Sequence, residues 1–209
     1  MKIECFLTGV LQENAYLLTD DSTGKIAVID PGSPDQPLMD AIRAAKDSVA
    51  MILLTHGHFD HIGAVEEIRA LTDAPVYAAE EELAMLSDGR KNLSAMFSKP
   101  TEIADALPLN DGDILRLGSL EIKVLHTPGH SMGGLCYLTK NVIFSGDTLF
   151  AGSVGRTDLW GGDGSMLLRS VRRLAELTGD YRVLSGHGEE TTLARERLHN
   201  PYCREGFGL

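Results

Sequence analysis

His56, His58, Asp60 and His61 fall within six positions of the string THGHFDH, directly after the apolar run VAMILL. Three more groups of the same kind stand in similar places: His130 in HTPGH, Asp147 in FSGDTL and His187 in LSGHG, each following an apolar stretch of strand length and each beside a glycine. Packing does not explain them, because such side chains resist burial unless they are paired or bound to metal. Neutral imidazoles and carboxylates suit zinc, iron or manganese, and no cysteine lies in these strings to impose a soft thiolate site. The set is too large for one tetrahedral ion. It fits two divalent ions roughly 3.5–4 Å apart that share a carboxylate and a bridging hydroxide nucleophile. Zinc is the expected metal, with iron or manganese as alternatives. His126 and His199 lie outside the pattern and are expected to be bystanders.

The surrounding elements must deliver these groups to one place. Short strands are expected over residues 1–30, closed by turn residues in NAYLLTD and KIAVIDPG. Leu38, Ile42 and Ala45 have helical spacing, and VAMILL reads as a strand buried on both faces. Ile62, Val65, Ile68 and Leu71 then resume helical spacing, so residues 56–61 read as a loop between strand and helix. PVYAA reads as a strand and EEELAML as a short helix. Residues 88–106, with Arg90, Lys91 and Lys99, read as a solvated loop in preference to a substrate wall. DILRLGSLEIKVLH, LCYLT, NVIFSGD and YRVLSGHG supply further strands, and Leu167, Val171, Leu174 and Leu177 mark a helix. One domain over residues 1–209 is expected, α/β in class, with two sheets packed together and helices outside.

Composition narrows the function. The net charge of −11 opposes nucleic acid as a partner, since phosphate binding draws on basic patches. No apolar run approaches the ~20 residues that span a bilayer, and the N-terminus lacks a signal-peptide core, so no membrane partner and a cytoplasmic location are expected. Cys5, Cys136 and Cys203 are odd in number and far apart, which reads as free buried thiols, not a disulfide framework.

The strings THGHFDH, HTPGHS, FSGDTLF and SGHG resemble the ordered motifs of the metallo-β-lactamase superfamily, and they span nearly the whole chain. The resemblance implies a four-layer αββα sandwich with the metals at one edge of the sheets. It implies a first ion on His56, His58 and His130, a second on Asp60, His61 and His187, and Asp147 as the bridge. Asp60 and Asp147 would then hold the nucleophile in place and so count as catalytic. A carboxylate at 147 is similar to the glyoxalase II branch, hydrolases of S-acylglutathione thioesters, and differs from the antibiotic-degrading lactamases. AGSVGRTDL puts Arg156 where that branch has a basic residue touching glutathione. GHGEETTLARERLHNPY resembles the tail of its small single-domain members, and the helical domain of full-length glyoxalase II is accordingly expected to be lacking.

The expected activity is therefore metal-dependent hydrolysis of a small-molecule thioester such as S-lactoylglutathione. A mononuclear iron persulfide dioxygenase of the same superfamily is the alternative; those proteins share the GRTD stretch but commonly have Asp-Tyr where this chain has Gly188 and Glu189. A nuclease would need a basic surface, and a non-catalytic metal module would be expected to lack ligands. Elemental analysis separates the two enzymes: two ions per chain are expected for the hydrolase, and one iron per chain would assign the dioxygenase.

Overall fold

In the computed structural model, residues 1–204 are described; the end of the expected domain, 205–209, lies outside them. The first six strands, β1 (Lys2–Thr8), β2 (Glu13–Thr19), β3 (Ile26–Ile29), β4 (Val49–Leu53), β5 (Val76–Ala79) and β6 (Leu107–Leu109), form one sheet in chain order. Hairpins join β1 to β3 antiparallel, and β3 to β6 run parallel. Parallel neighbours need crossovers. Between β3 and β4 the crossover is α1 (Gln36–Ala44); between β4 and β5 it is α2 (Phe59–Ile62) with α3 (Val65–Thr72). Between β5 and β6 lie the short α4 (Leu83–Leu86) and α5 (Ser94–Phe97). The remaining long strands, β7 (Ile114–Leu117), β8 (Leu120–His126), β9 (Leu135–Thr139) and β10 (Val142–Gly146), build the second sheet. A small ribbon of β11 (Leu149–Phe150) and β12 (Ser153–Val154) follows, then α6 (Gly164–Ala175). After it β13 (Arg182–Ser185) pairs parallel to β10, and β14 (Thr191–Thr192) closes the edge before α7 (Leu193–His199).

Period-two alternation explains the layers. In β3, Ala27 and Ile29 face the second sheet, while Ile26 and Val28 face α1 and α3. In β8, Leu120, Ile122 and Val124 point inward as their spacing predicts. Between the sheets lie Leu18, Leu53, Tyr137 and Phe144; Leu167, Val171 and Leu174 of α6 cover the far side of the second sheet. The result is the αββα sandwich. Among the described residues no helix is long and apolar enough to cross a membrane.

The helix expected through Ile62 and Leu71 is broken instead into α2 and α3. At the break the Ala64 N–H donates to the Pro31 carbonyl at 2.9 Å, not back along its own helix. Gly63 lies so close to the Gly32 carbonyl that a Cβ would sit 2.3 Å from its oxygen. The segment that carries Asp60 and His61 is thus folded over the Pro31–Gly32 turn, and the helix yields to that crossing.

Two tyrosines brace the sandwich. Tyr16 of the first sheet donates its hydroxyl to the Ser185 carbonyl in the second at 2.7 Å. Tyr137 of the second sheet donates to the Leu54 carbonyl in the first, also at 2.7 Å. Each accepting carbonyl lies two residues before a histidine, His187 or His56. Replacing Tyr137 by Phe strands a buried carbonyl, which costs about 1–3 kcal/mol. Urea unfolding of the metal-free protein checks this; an unchanged midpoint would show that the Leu54 carbonyl finds another partner.

Candidate metal centre

All seven residues singled out by type and spacing come together at the carboxyl ends of β4, β8, β10 and β13. Nε2 of His130 lies 2.9 Å from Nδ1 of His58 and 3.2 Å from Nε2 of His56. Beside this trio, Nε2 of His187 is 3.2 Å from Oδ2 of Asp60, and Nε2 of His61 is 3.9 Å from the same oxygen. Asp147 stands between the two halves: its Oδ2 is 3.6 Å from His130 and 3.7 Å from His187, and its Oδ1 is 3.5 Å from His61.

The donors fit metal ions. Nε2 of His61 and Oδ1 of Asp147 are buried and have no hydrogen-bond partner. Three imidazoles that point their nitrogens at one another cannot all be satisfied by passing protons among themselves. A cation among the lone pairs satisfies them together. His56, His58 and His130 make one candidate set and Asp60, His61 and His187 another, within each of which the donor atoms lie no more than 4.8 Å apart.

Local bonds fix which nitrogen faces inward. Nδ1 of His130 donates to the Arg156 carbonyl at 2.7 Å, and Nδ1 of His61 donates to Asp30 at 3.0 Å. In each ring Nε2 is left to face the centre. His187 is held through the start of β2. The Asn14 N–H donates to the Gly186 carbonyl, and the Asn14 amide donates to the carbonyls of Ser185 and Gly188. Gly186 must be glycine, since a Cβ there would lie 2.3 Å from Asp147 Oδ1 and 2.6 Å from the His61 ring.

Charge divides the centre. Burial holds His56 well below its ordinary pKa, and burial with the neighbouring His130 pushes His58 down to about 3. His61 goes the other way: burial opposes a proton, but Asp147, Asp30 and Asp60 outweigh it and raise the ring well above its ordinary value. His187 is raised against burial by its bond to Asp60 and by Asp147. Asp60 is held low despite burial by His61 and His187. His56 and His58 are therefore held in the neutral form, whereas the carboxylates favour the protonated form of His61 and His187.

Asp30 belongs to this site and was not among the residues expected. Its Oδ1 accepts from the Thr55 N–H at 2.7 Å and its Oδ2 from the Thr55 hydroxyl at 2.5 Å, besides His61. It sits at φ 47°, a left-handed conformation that Asp tolerates better than most residues. The signal was present: Asp30 ends the apolar run KIAVI just as Asp147 ends NVIFSG.

Arg156 is exposed and forms a bidentate pair with Asp158 at 2.6 and 2.7 Å. His126 is bonded to the Met132 carbonyl at 3.0 Å and touches none of the seven. Residues 88–106 are not simply solvated. Phe97, Lys99 and Glu102 line a groove of about 810 Å³ beside Asp60, faced by Val10, Leu11 and Phe59. The Phe59 ring stacks on Phe97 with centroids 5.4 Å apart, and Lys91 lies 4.6 Å over the Trp160 ring. Phe59, between His58 and Asp60 in sequence, gives the loop an apolar contact through Phe97.

The profile of the metallo-beta-lactamase superfamily matches residues 8–187. The hydroxyacylglutathione hydrolase GloC of Haemophilus influenzae is 33% identical over 97% of this chain and 98% of its own. The crystal structure of the BLEG-1 B3 metallo-beta-lactamase superposes with a TM-score of 0.88 at 38% identity, covering 97% of this chain and 99% of that one. TTHA1623 in a di-iron-bound form gives a TM-score of 0.84 at 37% identity, covering 95% and 99%.

The charge division sets the pH response of the metal-free protein. His61 contributes stability that is complete below about pH 6.5 and is lost as pH rises through its raised value. Buried His56 and His58 refuse protons that the unfolded chain accepts, so stability also falls as pH drops below about 6.5. Zinc must displace the proton on His61 but none on His56 or His58. Calorimetry at pH 7 in buffers of different protonation heat should show proton release of about one or more per chain. Zero release for both ions would contradict the division.

Proposed function

The chain belongs to the metallo-beta-lactamase superfamily, and from that premise we propose that it hydrolyses thioesters, S-acylglutathiones such as S-lactoylglutathione foremost, at a dinuclear centre. The observation that carries the reading is the convergence of the seven donors into two sets joined by Asp147, beside an open groove. His56, His58 and His130 would hold one ion, Asp60, His61 and His187 the other, and Asp147 would bridge them. Two divalent ions, zinc by preference, supply a water of lowered pKa and a Lewis acid for the carbonyl when bound.

The chain's own residues do the rest. Asp30 keeps the His61 ring in the tautomer that leaves Nε2 for the centre, and the Arg156 carbonyl does the same for His130. Asp60 and Asp147 would balance the charge of the ions and hold the attacking water in place. Phe59 and Phe97 give the acyl group an apolar wall and keep bulk water from one side of the scissile bond. A thiolate departs without a general acid, since a thiol's pKa is about 8.5. Arg156, whose carbonyl holds His130, is the cation proposed to meet an anionic thiol carrier, and to do so it must exchange Asp158 for the substrate. The similarity to GloC supports glutathione as that carrier. The similarity to BLEG-1 favours a second reading, hydrolysis of a β-lactam by the same centre.

One preparation assayed with thioesters of glutathione, coenzyme A and simple thiols, with a β-lactam, and for oxygen uptake with glutathione persulfide separates the readings. S-lactoylglutathione should be turned over with a kcat/KM that falls as salt rises. Oxygen uptake without hydrolysis would hand the reaction to the dioxygenase. Asp147→Asn should lower kcat/KM on the order of 100-fold or more, because an amide neither bridges nor balances two dications. His126→Ala should leave metal content intact. Arg156→Ala should raise KM for S-lactoylglutathione roughly 3- to 10-fold, and Asp158→Asn, by freeing the guanidinium, should lower it. Indifference of KM to both would exclude Arg156 from the substrate.

A further inference from the structure

Glu82 is fully buried, 0% exposed, in a segment that contributes none of the seven donors. Its Oε1 accepts from the Gly57 N–H at 2.8 Å, and its Oε2 accepts from the Gly133 N–H at 2.7 Å. Gly57 lies between His56 and His58; Gly133 lies three residues beyond His130. One planar carboxylate therefore spans the two loops that carry the trio of imidazoles.

The packing around it is as close as the bonds. A Cβ on Gly133 would lie 2.6 Å from the Glu82 nitrogen and 2.7 Å from its Oε2. A Cβ on Gly57 would press on Leu86 and Met85 of α4 at 3.2 and 3.3 Å. Both loops are glycine where they touch this segment. Burial drives the Glu82 carboxyl upward against the pull of the Gly57 N–H, the Ser131 hydroxyl and the Gly133 N–H, so a buried acid is kept here at a cost in solvation. An apolar residue would avoid that cost but would leave two buried N–H donors without partners.

We propose that Glu82 is a positioning residue for the metal centre: by gripping Gly57 and Gly133 with its two oxygens, it sets the spacing of His56 and His58 against His130 before any metal binds. The proposal rests on the reading of these three histidines as ligands. A carboxylate suits the task because it offers two acceptors at a fixed separation and no donor. Glutamine in its place keeps the shape but turns an NH2 toward one of the two N–H groups, so one loop is released.

The test is metal affinity, measured by competition with a chromogenic chelator on metal-free wild type, Glu82→Gln and Glu82→Asp. Glu82→Gln should bind one of the two zinc ions about 10- to 100-fold more weakly, in the range seen when an outer partner of a ligand is lost. The other ion's affinity should stay within about threefold, since Asp30, which orients His61, is untouched. Glu82→Asp, a methylene too short to span both loops, should not restore the affinity. With cobalt, the ligand-field spectrum of the weakened site should change in Glu82→Gln. Zinc affinities and cobalt spectra equal to wild type, with only the melting temperature lowered, would overturn the proposal and leave Glu82 a structural acid. Should Glu82→Gln not fold, hydrogen exchange on wild type decides. Gly57 and Gly133 amides protected before metal is added support prior positioning, and amides that exchange freely until zinc binds refute it. If wild type itself binds no zinc, it is the metal-centre reading that fails.

Discussion

The structure depends on holding together groups that repel or dehydrate one another. Seven donors converge at one edge of two sheets, and several of their atoms are buried without a protein partner. Left alone, such a cluster would loosen, admit water or protonate. Rigid strands prevent this from four directions, and the loops beyond them are shortened by glycine until donors meet. The carboxylates Asp30, Asp60 and Asp147 sit against His61 on one side, while the His56, His58 and His130 side has no carboxylate among its three donors. This asymmetry is a property of the bare protein. It assigns the two halves different proton inventories before any ion enters, and so different responses to the same cation.

Much of this was legible in the sequence, for definite reasons. The string THGHFDH has so many ligating side chains per residue that no packing argument absorbs it, and the later His130, Asp147 and His187 each follow a strand whose apolar run is easily read. The layers were legible because β3, β4 and β8 have the periods their burial demands. What escaped was whatever depends on contacts distant in sequence. Asp30 looked like the start of a turn, and only the placement of β3 beside β4 brings it to Thr55 and His61. Glu82 looked like one of three glutamates on a short helix; nothing in AEEELAML says that the third is wholly buried. The break between α2 and α3 was hidden because its cause lies far upstream, where the Pro31 carbonyl takes the Ala64 N–H and Gly63 crosses close over Gly32.

The groove reframes the polar stretch 88–106 as part of the site. Its walls come from places as far apart as the β1–β2 hairpin and the loop after α5, yet each wall adjoins a donor: Phe59 lies between His58 and Asp60, and Glu13, beside the hairpin tip, bridges to His187. The groove and the donors are thus built from neighbouring residues. Val10, Leu11 and Phe97 line the groove, while the bonds that orient His61 and His130 run to Asp30 and the Arg156 carbonyl, outside that lining.

The crossed tyrosines give the sandwich a mechanical character. Each sheet ends in a donor-bearing loop, and each loop is anchored by a hydroxyl reaching over from the opposite sheet. The two sheets behave as a scissor joint with its rivets next to the blades. Sliding one sheet over the other, or prising them apart, breaks a rivet at the same moment that it misaligns an imidazole. The alignment of the donors is therefore tied to the alignment of the sheets themselves, so a motion that loosened either hydroxyl would be felt first at the loop beside it.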